Sequence, residues 1–205
     1  MGEDQARQTY YFPNEKPKAT IALIIINVLL YIVEANFFKD RDMWELFGIG
    51  WDLNWSSEWY KLLTAMFTHA SVAHVGSNMI ALYGAGMYLE EKFGSKRFLI
   101  YYLISGLVGE FLGCFFSGAV LGRNSLSIGA SGAVFGLFGM LIALSLRGQM
   151  FRIPFVRVIL FLALSLADGL TESGIDILGH AGGFIVGLII GLIYSFTTGA
   201  KASEE

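Results

Sequence analysis

Charged residues are scarce in this chain. Only 15% of its 205 residues are Asp, Glu, Lys or Arg, whereas an ordinary soluble domain carries about 25%. The net charge is −3 and no basic arm is present, so nucleic acid is not an expected partner. The single cysteine, Cys114, excludes an internal disulfide. Hydrophobic residues make up 55% and the mean hydropathy is +0.58, which excludes disorder and argues against a water-soluble globule. A membrane protein of one compact domain remains.

Six apolar stretches are long enough, or nearly so, to cross a bilayer as helices, which takes roughly 20 residues each. The predicted spans are residues 19–38, 72–89, 98–116, 129–146, 154–167 and 175–196. The sequence therefore predicts an all-α membrane protein, a compact six-transmembrane-helix bundle over residues 19–198. A short N-terminal segment, 1–18, and a short tail, 199–205, flank it.

Basic residues predict the orientation of this bundle. Of the 14 Lys and Arg residues, ten fall in inside segments when the N-terminus is placed in the cytoplasm. The other four are Lys39, Arg41, Lys61 and Arg123. Cytoplasmic loops carry the excess of basic residues. We therefore expect a multi-pass protein of the cell membrane, plasma or inner, with both termini in the cytoplasm.

The segment between the first two predicted spans, residues 39–70, holds all four tryptophans. Tryptophan has an apolar body and a polar tip, and it is enriched where membrane meets water. This composition predicts a structured outer loop that lies partly in the membrane, rather than an ordinary solvated loop.

Glycine recurs at every fourth position inside several predicted helices. The pattern is found at Gly109 and Gly113, at Gly132 and Gly136, and at Gly183, Gly187 and Gly191. Such spacing leaves one helix face bare, so that a neighbouring helix can approach closely. It indicates a tight bundle rather than an open pore.

Polar side chains collect near the predicted outer ends of three spans. His69 precedes the second span, and His74 and Asn78 are four residues apart on one of its faces. Ser131 lies at the start of the fourth span and His180 near the start of the sixth. A transporter or channel would need a polar path across the whole bilayer, whereas these residues lie only in the outer half.

Two interpretations of these residues stay open at this point. Taken alone, Ser131 would bond a backbone carbonyl one turn back, and each histidine would be a structural hydrogen-bond partner. Taken together, a serine at a glycine-rich helix start and a histidine on another helix are what nucleophilic catalysis requires, with His180 as the base. Free N–H groups at the helix start can hold an oxyanion, and His74 and Asn78 would add donors.

Other hydrolytic and metal signatures are absent from the sequence. Ala133 breaks the Gly-x-Ser-x-Gly pattern of an α/β-hydrolase elbow, and there is no His-Glu-x-x-His zinc motif. The acids that the sequence places near the level of the histidines are Asp168, Glu172 and Asp176. We expect no metal and no other cofactor.

Three motifs lie in order on the second, fourth and sixth predicted spans. They are His69-x4-His74-x3-Asn78, Gly129-Ala130-Ser131-Gly132, and His180 followed by Gly182, Gly183 and Gly187. With them, nearly the whole chain resembles the rhomboid intramembrane serine proteases, in the minimal six-helix prokaryotic form.

The resemblance implies a water-filled cavity open to the outside and a Ser131–His180 dyad without a carboxylate. It implies an oxyanion hole made by the Ser131 N–H with the side chains of His74 and Asn78, supported by Gly129 and Gly132.

The resemblance also implies structural roles elsewhere. Glu90, with Gly94 and Ser95, resembles the structural clasp of the family at the inner end of the second helix. Lys61 stands where the family usually has arginine, which keeps the charge but loses the planar fork. His69, Gly183 and Gly187 are expected to be structural.

The sequence therefore predicts a serine endopeptidase that cleaves a peptide bond in or next to a transmembrane segment of another membrane protein. Its partners would be transmembrane protein substrates and the lipid bilayer. The alternative is a catalytically silent rhomboid-like protein that binds membrane clients, against which the intact Ser131 and His180 argue.

Overall fold

The structure of the chain is a computed structural model that describes residues 16–38, 40–122, 126–149 and 177–199. The regular structure within these ranges is helical, without a β-strand. The fifth predicted span, 154–167, lies outside the described residues, as do the acids Asp168, Glu172 and Asp176 and the segments 1–15 and 200–205.

Five long helices and three short ones follow one another in these ranges. They are α1 (Lys18–Phe37), α2 (Asp40–Phe47), α3 (Trp55–Glu58), α4 (Lys61–Thr64) with a 3₁₀ turn (Ala65–Phe67), α5 (Val72–Phe93), α6 (Ser95–Phe115) with a π turn (Phe116–Val120), α7 (Ser131–Leu146) and α8 (Ile177–Gly199). The long helices α1, α5, α6, α7 and α8 coincide within a few residues with five of the six predicted spans.

Three of the described helices are long and apolar enough to cross a membrane. They are α1, α6 with its π turn, and α8, with mean hydropathies of 2.0, 1.7 and 2.0. Their apolar side chains face outward, as with Ile25 and Leu29 on α1 and Ile189 and Ile193 on α8. An apolar outer surface of this extent fits a lipid environment. The helix α7 is apolar but has only 16 residues, so the count of six spans stays a prediction.

The helix α7 forms the centre of the bundle. Every residue from Gly132 to Leu141 is buried, as expected for a helix that is apolar on all sides. A Cβ atom added to Gly183 of α8 would meet the backbone of Gly132, and one added to Gly187 would meet the backbone of Gly136. The two helices therefore touch backbone to backbone.

Glu90 joins three helices at the opposite end from Ser131. Its carboxylate accepts hydrogen bonds from Ser95 Oγ at 2.6 Å and from the backbone N–H groups of Ala19 and Thr20, both at 2.8 Å. Next to it α5 ends at Phe93, and Gly94, which caps the helix, has a φ of +76° that favours glycine. Besides contacting α6, the clasp also satisfies free N–H groups in the first turn of α1, which the sequence did not predict.

The outer segment between α1 and α5 packs on α6 through aromatic side chains. The rings of Trp51 and Phe115 have centroids 5.5 Å apart, and those of Trp55 and Phe111 are 5.8 Å apart. Lys61 is buried and forms an ion pair with Glu58. The hydrogen bond from Lys61 holds the pKa of Glu58 below its usual range. The segment is thus structured, and its partial burial in the membrane stays a prediction.

Candidate active site

The segment that leads into α7 is held by the outer segment of the chain. Ser127 and Ile49 exchange two backbone hydrogen bonds, of 2.7 and 3.0 Å. Two residues later, the Gly129 N–H donates to the carbonyl of Ala65 at 2.7 Å. Because the φ of Gly129 is +119°, α7 begins at Ser131 and not at residue 129 as the sequence predicted.

Ser131 and His180 meet at the interface of α7 and α8. Ser131 Oγ and His180 Nε2 lie 2.6 Å apart, within hydrogen-bonding distance. The imidazole of His180 stacks on Phe135, one turn after Ser131, with ring centroids 4.3 Å apart and an interplanar angle of 10°. This stack defines the plane of the imidazole that points at the serine.

His74 lies against Gly129, next to Ser131. A Cβ atom at Gly129 would be 2.8 Å from both Cε1 and Nε2 of His74 and 3.7 Å from Ser131 Oγ. The Ala70 N–H donates to His74 Nδ1 at 3.4 Å, so the neutral imidazole carries its proton on Nε2. His74 thus presents an N–H donor beside the serine, and glycine at position 129 leaves room for it.

Asn78 and Gly132 lie at the edge of this group. Asn78 is buried on the same face of α5 as His74, and its Nδ2 donates to the His74 carbonyl at 3.0 Å. An amide nitrogen has two hydrogens, so this bond leaves a second donor. Gly132 lies against the carboxylate of Glu110, whose Oε1 would be 3.3 Å from a Cβ atom at Gly132.

His69 is fully buried behind the site rather than in it. Its Nδ1 lies 3.3 Å from the carbonyl of Phe67, and its Nε2 accepts a hydrogen bond from the Ala130 N–H at 3.4 Å. Its ring is 5.1 Å from the ring of His74 in an edge-on arrangement. The geometry therefore makes His69 a support for the residue that precedes Ser131.

Two buried acids near this level were missed by the sequence interpretation, which placed no acid there before residue 168. Glu34 of α1 accepts hydrogen bonds from Thr68 Oγ1 at 3.0 Å and from the His69 N–H at 3.4 Å. Glu110 of α6 accepts one from Ser127 Oγ at 2.7 Å. Both are lone acids in apolar stretches, a signal that could have found them, because such residues are rare in membrane helices and mark structured polar sites.

The chain has three histidines, and histidine is a common metal ligand. Within residues 16–38, 40–122, 126–149 and 177–199, no group of three or more His, Cys, Asp or Glu side chains is arranged to hold a metal ion. The expectation of a metal-free site stays a prediction, since residues 150–176 lie outside these ranges.

Comparison with known proteins points to the same family as the sequence motifs. A family model described as Rhomboid domain matches residues 56–196, more than half of the chain. The chain is 33% identical over 190 residues to "Rhomboid protease GluP" of Bacillus subtilis, covering 90% of this chain and 36% of that protein. It is 36% identical over 141 residues to "RHOMBOID-like protein 1" of Arabidopsis thaliana, covering 67% and 35%.

A fungal relative gives a similar match. The chain is 32% identical over 139 residues to "Rhomboid-type serine protease 2" of Emericella nidulans, covering 66% of this chain and 27% of that protein. The chain thus spans about a third of the length of these relatives. The match to the family model and the identity to the Bacillus protein lead to one conclusion: this chain belongs to the rhomboid family.

Proposed function

We propose that this protein is a serine endopeptidase that hydrolyses a peptide bond in or next to a transmembrane segment of another membrane protein. The observation that carries the proposal is the 2.6 Å distance between Ser131 Oγ and His180 Nε2, which joins two helices. Two of the relatives are named protease or serine protease, which supports the same reaction class.

In the first half of the reaction, Ser131 Oγ attacks the carbonyl carbon of the scissile bond while His180 Nε2 takes the hydroxyl proton. The tetrahedral intermediate then collapses, the C–N bond breaks, and His180 returns the proton to the leaving amine. In the second half, a water molecule attacks the acyl ester with His180 again as the base. The second tetrahedral intermediate then collapses, the C–Oγ ester bond breaks, and His180 returns the proton taken from water to Ser131 Oγ as the carboxyl product leaves.

We assign the oxyanion hole to donors that surround Ser131. Ser131 is the first residue of α7, so its N–H has no acceptor within the helix and remains available to the oxyanion. His74 supplies Nε2–H, and Asn78 supplies the amide hydrogen that does not bond the His74 carbonyl. Fixed donors of this kind stabilise negative charge most strongly where water is excluded.

The stack on Phe135 takes the orienting role that a carboxylate has in a triad. Within the described residues, the hydrogen-bond partner of His180 is Ser131, and its ring plane is set by Phe135. Asp176, one turn before His180, lies outside the described residues. The proposed machinery is a dyad of Ser131 and His180, as the resemblance to the rhomboid proteases implies.

The proposed topology has six spans, including 154–167, with both termini in the cytoplasm and the site in the outer half of the membrane. A substrate helix shields its own carbonyls through internal hydrogen bonds. It must therefore unwind locally before Ser131 can attack, which favours substrates with helix-destabilising residues near the cut.

The second candidate is a protein that binds membrane clients without cutting them. The relatives from Arabidopsis are named rhomboid-like, without the word protease, which leaves this class open.

Two measurements on the purified protein separate the candidates. They are covalent labelling by a fluorophosphonate probe and cleavage of a reporter transmembrane protein, each with the wild type and with Ser131→Ala. We expect labelling and cleavage for the wild type and neither for the variant. Binding of the reporter without labelling or cleavage of the wild type would support the client-binding protein instead.

A further inference from the structure

A buried carboxylate of α6 lies where α6, α7 and α8 meet. Glu110 is 2% exposed, and its Oε2 accepts the hydrogen bond from Ser127 Oγ at 2.7 Å. A Cβ atom at Gly132 would lie 3.3 Å from Glu110 Oε1 and 3.8 Å from the carbonyl oxygen of Gly179. The carboxylate therefore packs against Gly132, the residue that follows Ser131, and Gly132 also lies beside the turn of α8 that carries His180.

An acid at this position costs free energy unless its partners offset its desolvation. A buried polar or charged group is tolerated only when it is hydrogen-bonded, and a leucine would suit the apolar surroundings better. The first turn of α7 offsets part of the cost, because the positive end of a helix dipole favours a nearby carboxylate. The hydrogen bond that Ser127 Oγ donates to Glu110 Oε2 offsets a further part of the cost.

Ser127 is held from two sides. Its backbone pairs with Ile49 of the outer segment, and its hydroxyl bonds Glu110 of α6. Four residues further on is Ser131, and between them lies Gly129, which faces His74. A shift of Ser127 would therefore be transmitted to the peptide that carries the Ser131 N–H.

We propose that Glu110 is a positioning residue for the Ser131 site, an inference that rests on the proposed function. Through Ser127 it fixes residues 127–130, so that the Ser131 N–H and the His74 donor face the same point. In this role Glu110 acts through Ser127 rather than on the reacting atoms. Its contribution is geometric.

The chain contains a matched pair that serves as a control. Glu90 is also a buried acid, and it accepts a hydrogen bond from Ser95 Oγ at 2.6 Å, at the opposite end of the bundle from Ser131. Ser95→Ala and Ser127→Ala thus each remove one serine hydroxyl from a buried carboxylate. The Glu90–Ser95 pair is remote from Ser131, whereas the Glu110–Ser127 pair adjoins the site.

The experiment compares kcat, KM and Tm for these variants with a reporter transmembrane substrate in detergent. A misplacement of about 1 Å can cost about 10²-fold in rate, so we expect Ser127→Ala and Glu110→Leu to lower kcat by about 10- to 100-fold with KM nearly unchanged. Glu110→Gln keeps an acceptor for Ser127 and should recover most of the rate lost in Glu110→Leu. Ser95→Ala should lower Tm and leave kcat unchanged.

A double variant tests whether the two residues act as one unit. Ser127→Ala combined with Glu110→Leu should be no slower than the slower single variant, because either change breaks the same contact. Unchanged kcat in both single variants overturns the proposal. So does a loss of kcat in Ser95→Ala equal to that in Ser127→Ala, since the effect would then be general destabilisation.

A structural readout keeps the proposal separate from the proposed function. If the wild type neither labels nor cleaves, the proposed function fails, and hydrogen exchange of the amides of residues 127–131 then decides the role of Glu110. Local opening sets such exchange rates, so we expect roughly tenfold faster exchange in Ser127→Ala than in wild type or Ser95→Ala. Equal exchange in all three proteins overturns the positioning role. If Glu110→Leu fails to fold, Ser127→Ala and Glu110→Gln carry the test.

Discussion

A small substitution at Gly183 should disturb the candidate active site, although Gly183 takes no part in the proposed chemistry. A Cβ atom on Gly183 would lie 2.8 Å from the carbonyl carbon of Gly132 and 3.3 Å from its Cα. These are backbone atoms, which cannot rotate away as the end of a flexible side chain can. Gly183→Val must therefore push α8 away from α7.

The expected loss of stability follows from this contact with backbone atoms. Overpacking of a core costs about 1–3 kcal/mol, and we expect the upper end, about 3 kcal/mol, because the obstacle is backbone. For a chain of this size each kcal/mol lowers Tm by about 2–4 °C, so the loss should be about 6–12 °C. Gly132 follows Ser131 directly, and Gly183 lies one turn after His180, so the Ser131–His180 distance should increase. A shift of about 1 Å there can cost about 10²-fold in cleavage rate.

The assay combines thermal unfolding in detergent with reporter cleavage well below the Tm of the variant. Gly84→Val on α5 is the matched control, because nothing lies within 4 Å of a Cβ atom at Gly84. We expect the control to keep both Tm and rate. If Gly183→Val also keeps both, or if the two variants lose the same amount, close packing of α7 on α8 does not hold the dyad and the reasoning is wrong.

Four further predictions concern the site itself. Ser131→Ala and His180→Ala should each abolish reporter cleavage, and their double variant should be no slower than either single one, because partners in one catalytic unit do not contribute additively; a much slower double variant would show independent action. His74→Ala and Asn78→Ala should each slow cleavage by about 10²–10³-fold, the usual cost of one oxyanion donor, and normal rates in both would place the oxyanion hole elsewhere. Gly129→Ala should be nearly inactive in the same assay, because its φ of +119° disfavours any side chain and the new Cβ would meet the His74 ring; wild-type activity would contradict this geometry. EDTA and phenanthroline should leave cleavage unchanged, and inhibition reversed by zinc would favour a metal site.

The positions of the long helices could be predicted because the solvent dictates them. Backbone polar groups in lipid must be satisfied within the segment, so each long apolar stretch becomes a helix. The short helices α2, α3 and α4 were not predicted individually. Helices of 4 to 8 residues are unstable alone and depend on tertiary contacts such as that of Trp55 in α3 with Phe111.

The exact first residue of α7 could not be predicted from the sequence pattern. The apolar run begins at Gly129, and nothing in hydropathy separates that glycine from the helix that follows. The backbone of Gly129 is instead set by the bond from its N–H to Ala65 and by the ring of His74. Both partners are more than 50 residues away in the sequence, so only the folded chain places the helix start at Ser131.

The two histidines that precede and open α5 could not be assigned to separate roles from spacing alone. His69 and His74 are five residues apart, and either could have faced the serine. The structure separates them by the partners of their rings. His74 lies against Gly129 next to Ser131, whereas His69 is buried and its Nε2 accepts a hydrogen bond from the Ala130 N–H.

Glu34 and Glu110 were missed because the interpretation of the spans followed hydropathy, although a lone acid in an apolar span is itself a signal. In a membrane helix both the lipid side and the packed side are apolar, so hydropathy does not reveal which face points inward. Their positions nevertheless follow a common pattern. Glu34 binds Thr68 and His69, which precede α5, and Glu110 binds Ser127, which precedes α7. In each case an acid on a neighbouring helix holds the segment that leads into a helix whose first turns carry a site residue. Such segments have hydroxyl and N–H donors that no helix satisfies, and a carboxylate offers two strong acceptor oxygens in a small volume. Lone acids in the spans of this chain therefore mark the segments that lead into the helices of the candidate site.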